Sequence, residues 1–115
     1  MKCALAAVGF LNGNIRHNKK VLADTLEKCA GKTDVVLFGE AFLQGFSGIR
    51  FEPEYDRTIA LSRTDPVIGE IGAMAKKFSL TVSFGFIEKD GGTFFSSQMT
   101  IDPSGRIIDL YRRVS

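Results

Sequence analysis

One stretch does most to restrict the folds open to this chain: Asp34-Val35-Val36-Leu37-Phe38-Gly39-Glu40, running on through Ala41-Phe42-Leu43-Gln44-Gly45-Phe46. A short apolar run, partly β-branched and stopped by a glycine, predicts a buried strand over residues 34–39. In an open α/β sheet, ligands sit beyond the carboxyl ends of the strands. Glu40 is the first ionisable side chain past this strand. Two readings of it stand: a site carboxylate, or a solvent-facing glutamate that opens the next turn.

The flanking sequence places this strand in a β-α-β unit. Residues 3–10 read as a first strand, broken by Asn12-Gly13-Asn14. A helix follows, with Asn18 as its expected N-cap. Leu22, Leu26 and Cys29 form one helical stripe, and Gly31 stands where a left-handed residue ends a helix. Strand, helix, strand predicts a crossover and a parallel pair.

Residues 41–64 read as a short helical turn and an irregular loop, whose charged stretch from Arg50 to Arg57 is either solvated or a substrate lid. Asp65-Pro66 marks a helix start, the cap residue followed by proline in the first turn. Val67, Ile68, Ile71, Met74 and Ala75 make its buried stripe, and Lys76 and Lys77 suit its carboxyl end. Three strands follow: Leu80 to Ile87, Phe94 to Ile101 and Arg106 to Tyr111. The first pair is joined by a hairpin at Lys89-Asp90-Gly91-Gly92, the second by a turn at Asp102-Pro103-Ser104-Gly105. The expected class is α/β, a mixed sheet with two covering helices. Two helices are few for five apolar strands, since a layered sheet needs cover on both faces. The chain is therefore expected to be one incomplete domain over residues 1–115, or to cover its sheet with another subunit.

The totals exclude several classes. At 115 residues there is room for one domain with a modest core. A net charge of +2 with both signs interspersed leaves no electrostatic footprint for nucleic acid. The apolar amino terminus, Cys3 to Leu11 behind a single Lys2, fits a first strand better than a secretion signal. No apolar run has the length to span a membrane. The two cysteines, Cys3 and Cys29, make neither a disulfide scaffold nor a zinc site, and reduced thiols point to a cytoplasmic protein.

Few residues are left to carry chemistry. There is no glycine-rich phosphate loop, which disfavours a nucleotide-binding domain, and no nucleophile elbow. The single histidine, His17, reads as a surface residue, and Ser96-Ser97 as a hydrogen-bonded pair in the core. No cofactor or metal is expected. Glu40 remains at one strand end and Arg112-Arg113 at another. If both strands reach the middle of the sheet, a carboxylate and a cation could face one another as base and oxyanion clamp, or as a structural ion pair.

The order of motifs resembles the amino-terminal part of the nitrilase superfamily, the carbon–nitrogen hydrolases. Phe38-Gly39-Glu40 is similar to that family's Phe-Pro-Glu. A helix then leads to Gly85-Phe86-Ile87-Glu88 and the Gly91-Gly92 hairpin. Ile101-Asp102-Pro103-Ser104-Gly105 runs on through a strand to Tyr111-Arg112-Arg113, similar to the family's Ile-Asp-Pro-x-Gly and Tyr-Arg-Lys. The resemblance implies a four-layer α-β-β-α sandwich. It also implies hydrolysis or transfer at amides, nitriles or N-carbamoyl groups through a cysteine thioester. On it, Glu40 matches the general base, Arg113 falls at the position of the lysine that stabilises the tetrahedral intermediate, and Glu88 takes a structural or supporting role. Arginine in place of lysine can hold an oxyanion but is a poor proton shuttle; alternatively, a lysine beyond residue 115 takes the role. Neither cysteine matches the family nucleophile, so the expectation is the front part of a small-molecule hydrolase, inactive alone and homo-oligomeric. The alternative is a non-catalytic half-domain that associates with itself or with a partner.

Overall fold

The structure, a computed structural model, describes residues 3–5, 15–39 and 61–114. In chain order they form β1 (Cys3–Leu5), α1 (Ile15–Cys29), β2 (Val35–Leu37), α2 (Pro66–Phe78), β3 (Thr81–Asp90), β4 (Thr93–Ile101) and β5 (Ile107–Val114). The strands make one sheet in the order β1-β2-β3-β4-β5. The pairs β1–β2 and β2–β3 are parallel, while β3–β4 and β4–β5 are antiparallel. The mixed α/β sheet is the expected one, and each parallel connection contains a helix, as parallel pairs require.

Local chemistry sets the element ends. Asp65 caps α2 by accepting a hydrogen bond from the Val67 amide at 3.0 Å, and Pro66 follows it in the first turn. The helix ends at Ser79 in the left-handed region (φ 55°), which turns the Leu80 amide back onto the Ala75 carbonyl at 3.0 Å. The hairpin loop Gly91-Gly92 has positive φ at both residues, 63° and 110°, a geometry that two glycines adopt without strain. In the next turn the Asp102 Oδ1 accepts from the amides of Ser104 and Arg106 at 2.9 and 3.0 Å. This is the side-chain turn mimicry that favours Asp there.

Two expectations change. Asn18 is not the cap of α1: the helix begins at Ile15, and Asn18 lies inside it, fully buried. Packing draws this cap-forming residue type into the interior. The second strand is also shorter than residues 34–39, with ladder pairing confined to Val35–Leu37. The loop expected over residues 41–64 falls outside the described residues except for its last four. Of these, Leu61 forms a parallel bridge to Glu88 and buries its side chain.

Both helices cover the same face of the sheet. Leu22 and Leu26 of α1 and Ile68, Ile71 and Ala75 of α2 pack on Val36, Val82, Phe84, Phe86, Met99 and Ile101. Each large apolar side chain removed from water contributes roughly 1.5–3 kcal/mol, so this cluster is the main source of cohesion. Alternation along the strands gives Val82, Phe84, Phe86 and Glu88 to the helical side. The opposite face carries Ser83, Gly85, Gln98 and Tyr111, with Leu37 37% and Tyr111 67% exposed.

Candidate active site

Glu40 lies just past the described part of β2, outside the described residues. What positions it is visible up to Gly39. β2 lies between β1 and β3, so its carboxyl end opens in the interior of the sheet. Phe38 is buried, and its amide donates to the Ser83 carbonyl at 2.7 Å, the last rung of the ladder to β3. Beyond that rung β3 takes a different neighbour: the Leu61 amide donates to Ile87 O, and the Lys89 amide to Leu61 O, both at 2.9 Å. β2 thus releases the chain one residue before Gly39.

Arg113 occupies a register position opposite Ser96, which is itself opposite Ile87. β5 runs parallel in direction to β3, because both are antiparallel to β4. The carboxyl ends of β2 and β5 therefore lie on the same rim. The strands are not neighbours, however. β5 is the edge strand, and two strands separate it from β2, roughly 14 Å at the usual strand spacing. Among the described residues β2 meets the condition that both strands reach the middle of the sheet, and β5 does not.

The doublet divides its labour. Arg112 is on the helical side, where its Nε donates to Glu88 Oε1 at 2.7 Å and its Nη2 to Glu88 Oε2 at 2.5 Å. It also donates to Asp90 Oδ2 at 3.0 Å and lies 4.8 Å above the Phe95 ring. Glu88 is 1% exposed and accepts a further hydrogen bond from Ser97 Oγ at 2.8 Å, with Arg63 Nε 3.8 Å away. Burial would raise the Glu88 pKa. The hydrogen bonds from Arg112 and Ser97 and the charges of Arg112 and Arg63 outweigh it and hold the group below the ordinary carboxylate value. A carboxylate this well satisfied is not poised to accept a proton. Its geometry ties β3, β4 and β5 together, and it fixes the chain immediately before Arg113.

The polar residue that sequence reasoning passed over is Gln98. Its Nε2 donates to the Phe38 carbonyl at 3.2 Å and to Ser83 Oγ at 2.9 Å, and Thr100 Oγ1 donates to the same Ser83 oxygen at 3.3 Å. The available signal was a long amide in an otherwise short-chained polar strand, paired across the ladder with Gly85.

The remaining sequence candidates do not converge. Cys3 pairs with Val35, on the amino-terminal side of β2, and Cys29 packs half-buried at the end of α1 on the helical face. His17 is exposed on α1. Ser97 is buried against Glu88, while the adjacent Ser96 occupies the other face, so the two do not form one core pair. Among the described residues no cluster of His, Cys, Asp and Glu could hold a metal ion, and no helix is long and apolar enough to cross a membrane.

The profile of the carbon-nitrogen hydrolase family matches residues 7–115. The chain belongs to the carbon–nitrogen hydrolase family. It is 24% identical to an (R)-stereoselective amidase of a Pseudomonas species, over 91% of this chain and 37% of that protein. It is 27% identical to a bromoxynil-specific nitrilase of Klebsiella pneumoniae subsp. ozaenae, over 82% of this chain and 29% of that one. Among solved structures, a carbon–nitrogen hydrolase superfamily protein of Xanthomonas campestris superposes with a TM-score of 0.83 at 20% identity, over 97% of this chain and 40% of that chain. The amidase of Nesterenkonia sp. AN1 does so with a TM-score of 0.83 at 14% identity, over 100% of this chain and 43% of that chain. The fold is thus nitrilase-like, and the described residues form one helical layer and one sheet layer of the family's four-layer sandwich. The chain spans less than half the length of each of these relatives.

Proposed function

We propose that this chain supplies the acid-bearing half of a carbon–nitrogen hydrolase site, with Glu40 as general base and Arg113 as the cation that holds the tetrahedral oxyanion. The observation that carries the reading is the shared rim. The chain leaves β2 two residues before Glu40, on the rim where β5 brings the backbone of Arg113 level with Ile87. Arg113 is the member of the doublet to consider, because Arg112 is committed to Glu88 and Asp90. Glu88 supports β5 and takes no proton.

In this mechanism Glu40 removes the proton from an attacking thiol, the thiolate adds to the carbonyl or nitrile carbon, and the arginine faces the developing negative charge. At an amide or N-carbamoyl carbon, the tetrahedral adduct collapses and ammonia or an amine leaves with the proton returned by Glu40; at a nitrile, the thioimidate first takes up a water and then expels ammonia. In each case a water then hydrolyses the acylated thiol by the same path. The reading draws the thiol from polypeptide outside these 115 residues; Cys29 on the helical face and Cys3 at the amino-terminal end of β1, away from the rim, support it. Substrates are small amides, nitriles or N-carbamoyl compounds. The relatives are an amidase and a nitrilase, and the Nesterenkonia enzyme was solved with acrylamide. We further propose a cytoplasmic, self-associating protein, its exposed Leu37 and Tyr111 face covered in the assembled enzyme.

The test is ammonia release from a panel of amides, nitriles and N-carbamoyl compounds. The 115-residue chain alone should release none. The natural polypeptide that carries it should release ammonia and lose at least about a hundredfold in kcat on Glu40→Gln, the scale of a lost general base. Turnover by the isolated chain, or full activity in Glu40→Gln, would contradict the assignment.

A further inference from the structure

Gln98 joins the middle of the sheet to the end of β2, and its contacts have a direction. The carbonyl of Phe38 can only accept, so the amide nitrogen faces it, and Ser83 Oγ takes the nitrogen's second hydrogen. Both amide hydrogens of Gln98 are therefore engaged on the rim side of β2. The span is unusual, because β4 and β2 are not neighbours and β3 runs between them. At the usual spacing β2 is roughly 9–10 Å from β4, about the reach of an extended glutamine plus one hydrogen bond. The residue of β3 directly opposite Gln98 is Gly85, which leaves no side chain in the path. A polar bridge across a sheet thus depends on a glycine in one strand and a glutamine in the next.

The place it reaches needs restraint. Ladder pairing of β2 is confined to Val35–Leu37, Phe38 N makes the last rung, and β3 then turns to Leu61. The next residue, Gly39, is exposed and not in the left-handed region, and a Cβ added there would meet nothing within 4 Å among the described residues. Glycine has the widest backbone freedom of any residue, so Gly39 itself adds no restraint to the backbone that Phe38 hands on. We propose that Gln98 is a positioning residue for the acid that follows β2: laid over Gly85, its amide ties the Phe38 carbonyl to β3 and β4 and fixes the backbone two residues ahead of Glu40. This deepens the proposed function and rests on it. A general base acts only within hydrogen-bond reach of the proton it removes, and sub-ångström displacement is costly in rate.

The experiment uses the natural polypeptide that carries these residues, assayed with its best amide substrate well below its melting temperature. Gln98→Leu keeps the size of the side chain and removes the donor. It should lower kcat about tenfold and leave KM within about twofold, the pattern of a group that aligns rather than binds. Gly39→Pro restricts the same backbone by another route: Gly39 lies outside the positive-φ region, and proline limits backbone freedom without a new contact. In the double variant Gly39→Pro/Gln98→Leu, kcat should recover by several-fold, which a merely structural role for Gln98 would not produce. An unchanged kcat in Gln98→Leu, or a loss that Gly39→Pro does not relieve, overturns the inference. Glu40→Gln separates the two levels. If it keeps turnover, the functional assignment falls and this inference with it. If it is dead while Gln98→Leu is normal, the inference alone falls.

Discussion

Replacing Glu88 by glutamine should destabilise the fold by about 2 kcal/mol at pH 7, and the penalty should shrink in acid. Glutamine keeps the shape, and its oxygen can still accept from Ser97 and Arg112 Nε. Its amide nitrogen cannot accept from Arg112 Nη2, so the change removes the charge and one of the three hydrogen bonds. The side chain is 1% exposed and accepts three hydrogen bonds, two of them from the Arg112 guanidinium at 2.7 and 2.5 Å. Opposite charges about 4 Å apart attract by about 4 kcal/mol at an effective dielectric near 20, and burying a carboxylate costs several kcal/mol in return. The lowered pKa of Glu88 shows that attraction exceeds burial cost in this site. Hydrogen bonds to charged groups contribute net roughly 1.5–3 kcal/mol, and the substitution retains part of them. For a carboxylate whose folded pKa is depressed, the stabilisation is present above the unfolded value of 4.5 and is lost as pH falls through the lower folded value. Urea unfolding of the wild-type chain and Glu88→Gln at pH 7 and pH 3 measures both numbers. Arg63→Ala is the control: its guanidinium is half exposed and 3.8 Å from Glu88, a distance at which a surface pair contributes under about 1 kcal/mol. A Glu88→Gln penalty no larger than that of Arg63→Ala, or one that does not change between the two pH values, would refute the reasoning.

Three further outcomes follow from the backbone. Asp65→Ala removes the acceptor for the Val67 amide and should cost about 1 kcal/mol in the same unfolding assay, with Asp65→Ser recovering most of it. Gly105→Ala should cost about 1–2 kcal/mol, because Gly105 has φ +87° and an added Cβ would meet the Gly72 carbonyl oxygen at 3.1 Å, whereas Gly69→Ala on α2, with open space, should stabilise by about 0.5–1 kcal/mol.

The motifs of the family and the local structure of this chain were legible in its residues for one physical reason: each depends on neighbours close in sequence. The stripe at Ile68, Ile71 and Ala75, the cap at Asp65-Pro66 and the two glycines of the hairpin are settled within a turn or a loop. Asn18 misled because capping residues form helix boundaries only when packing leaves them at an end. Which of two adjacent arginines is consumed in a buried ion pair, how far β5 stands from β2, and that Gln98 reaches Phe38 across Gly85 are settled by register between strands. The alternation of a strand tells which residues share a face. Only the assembled sheet decides what lies beside them, because those partners are brought together by pairing between segments far apart in the chain.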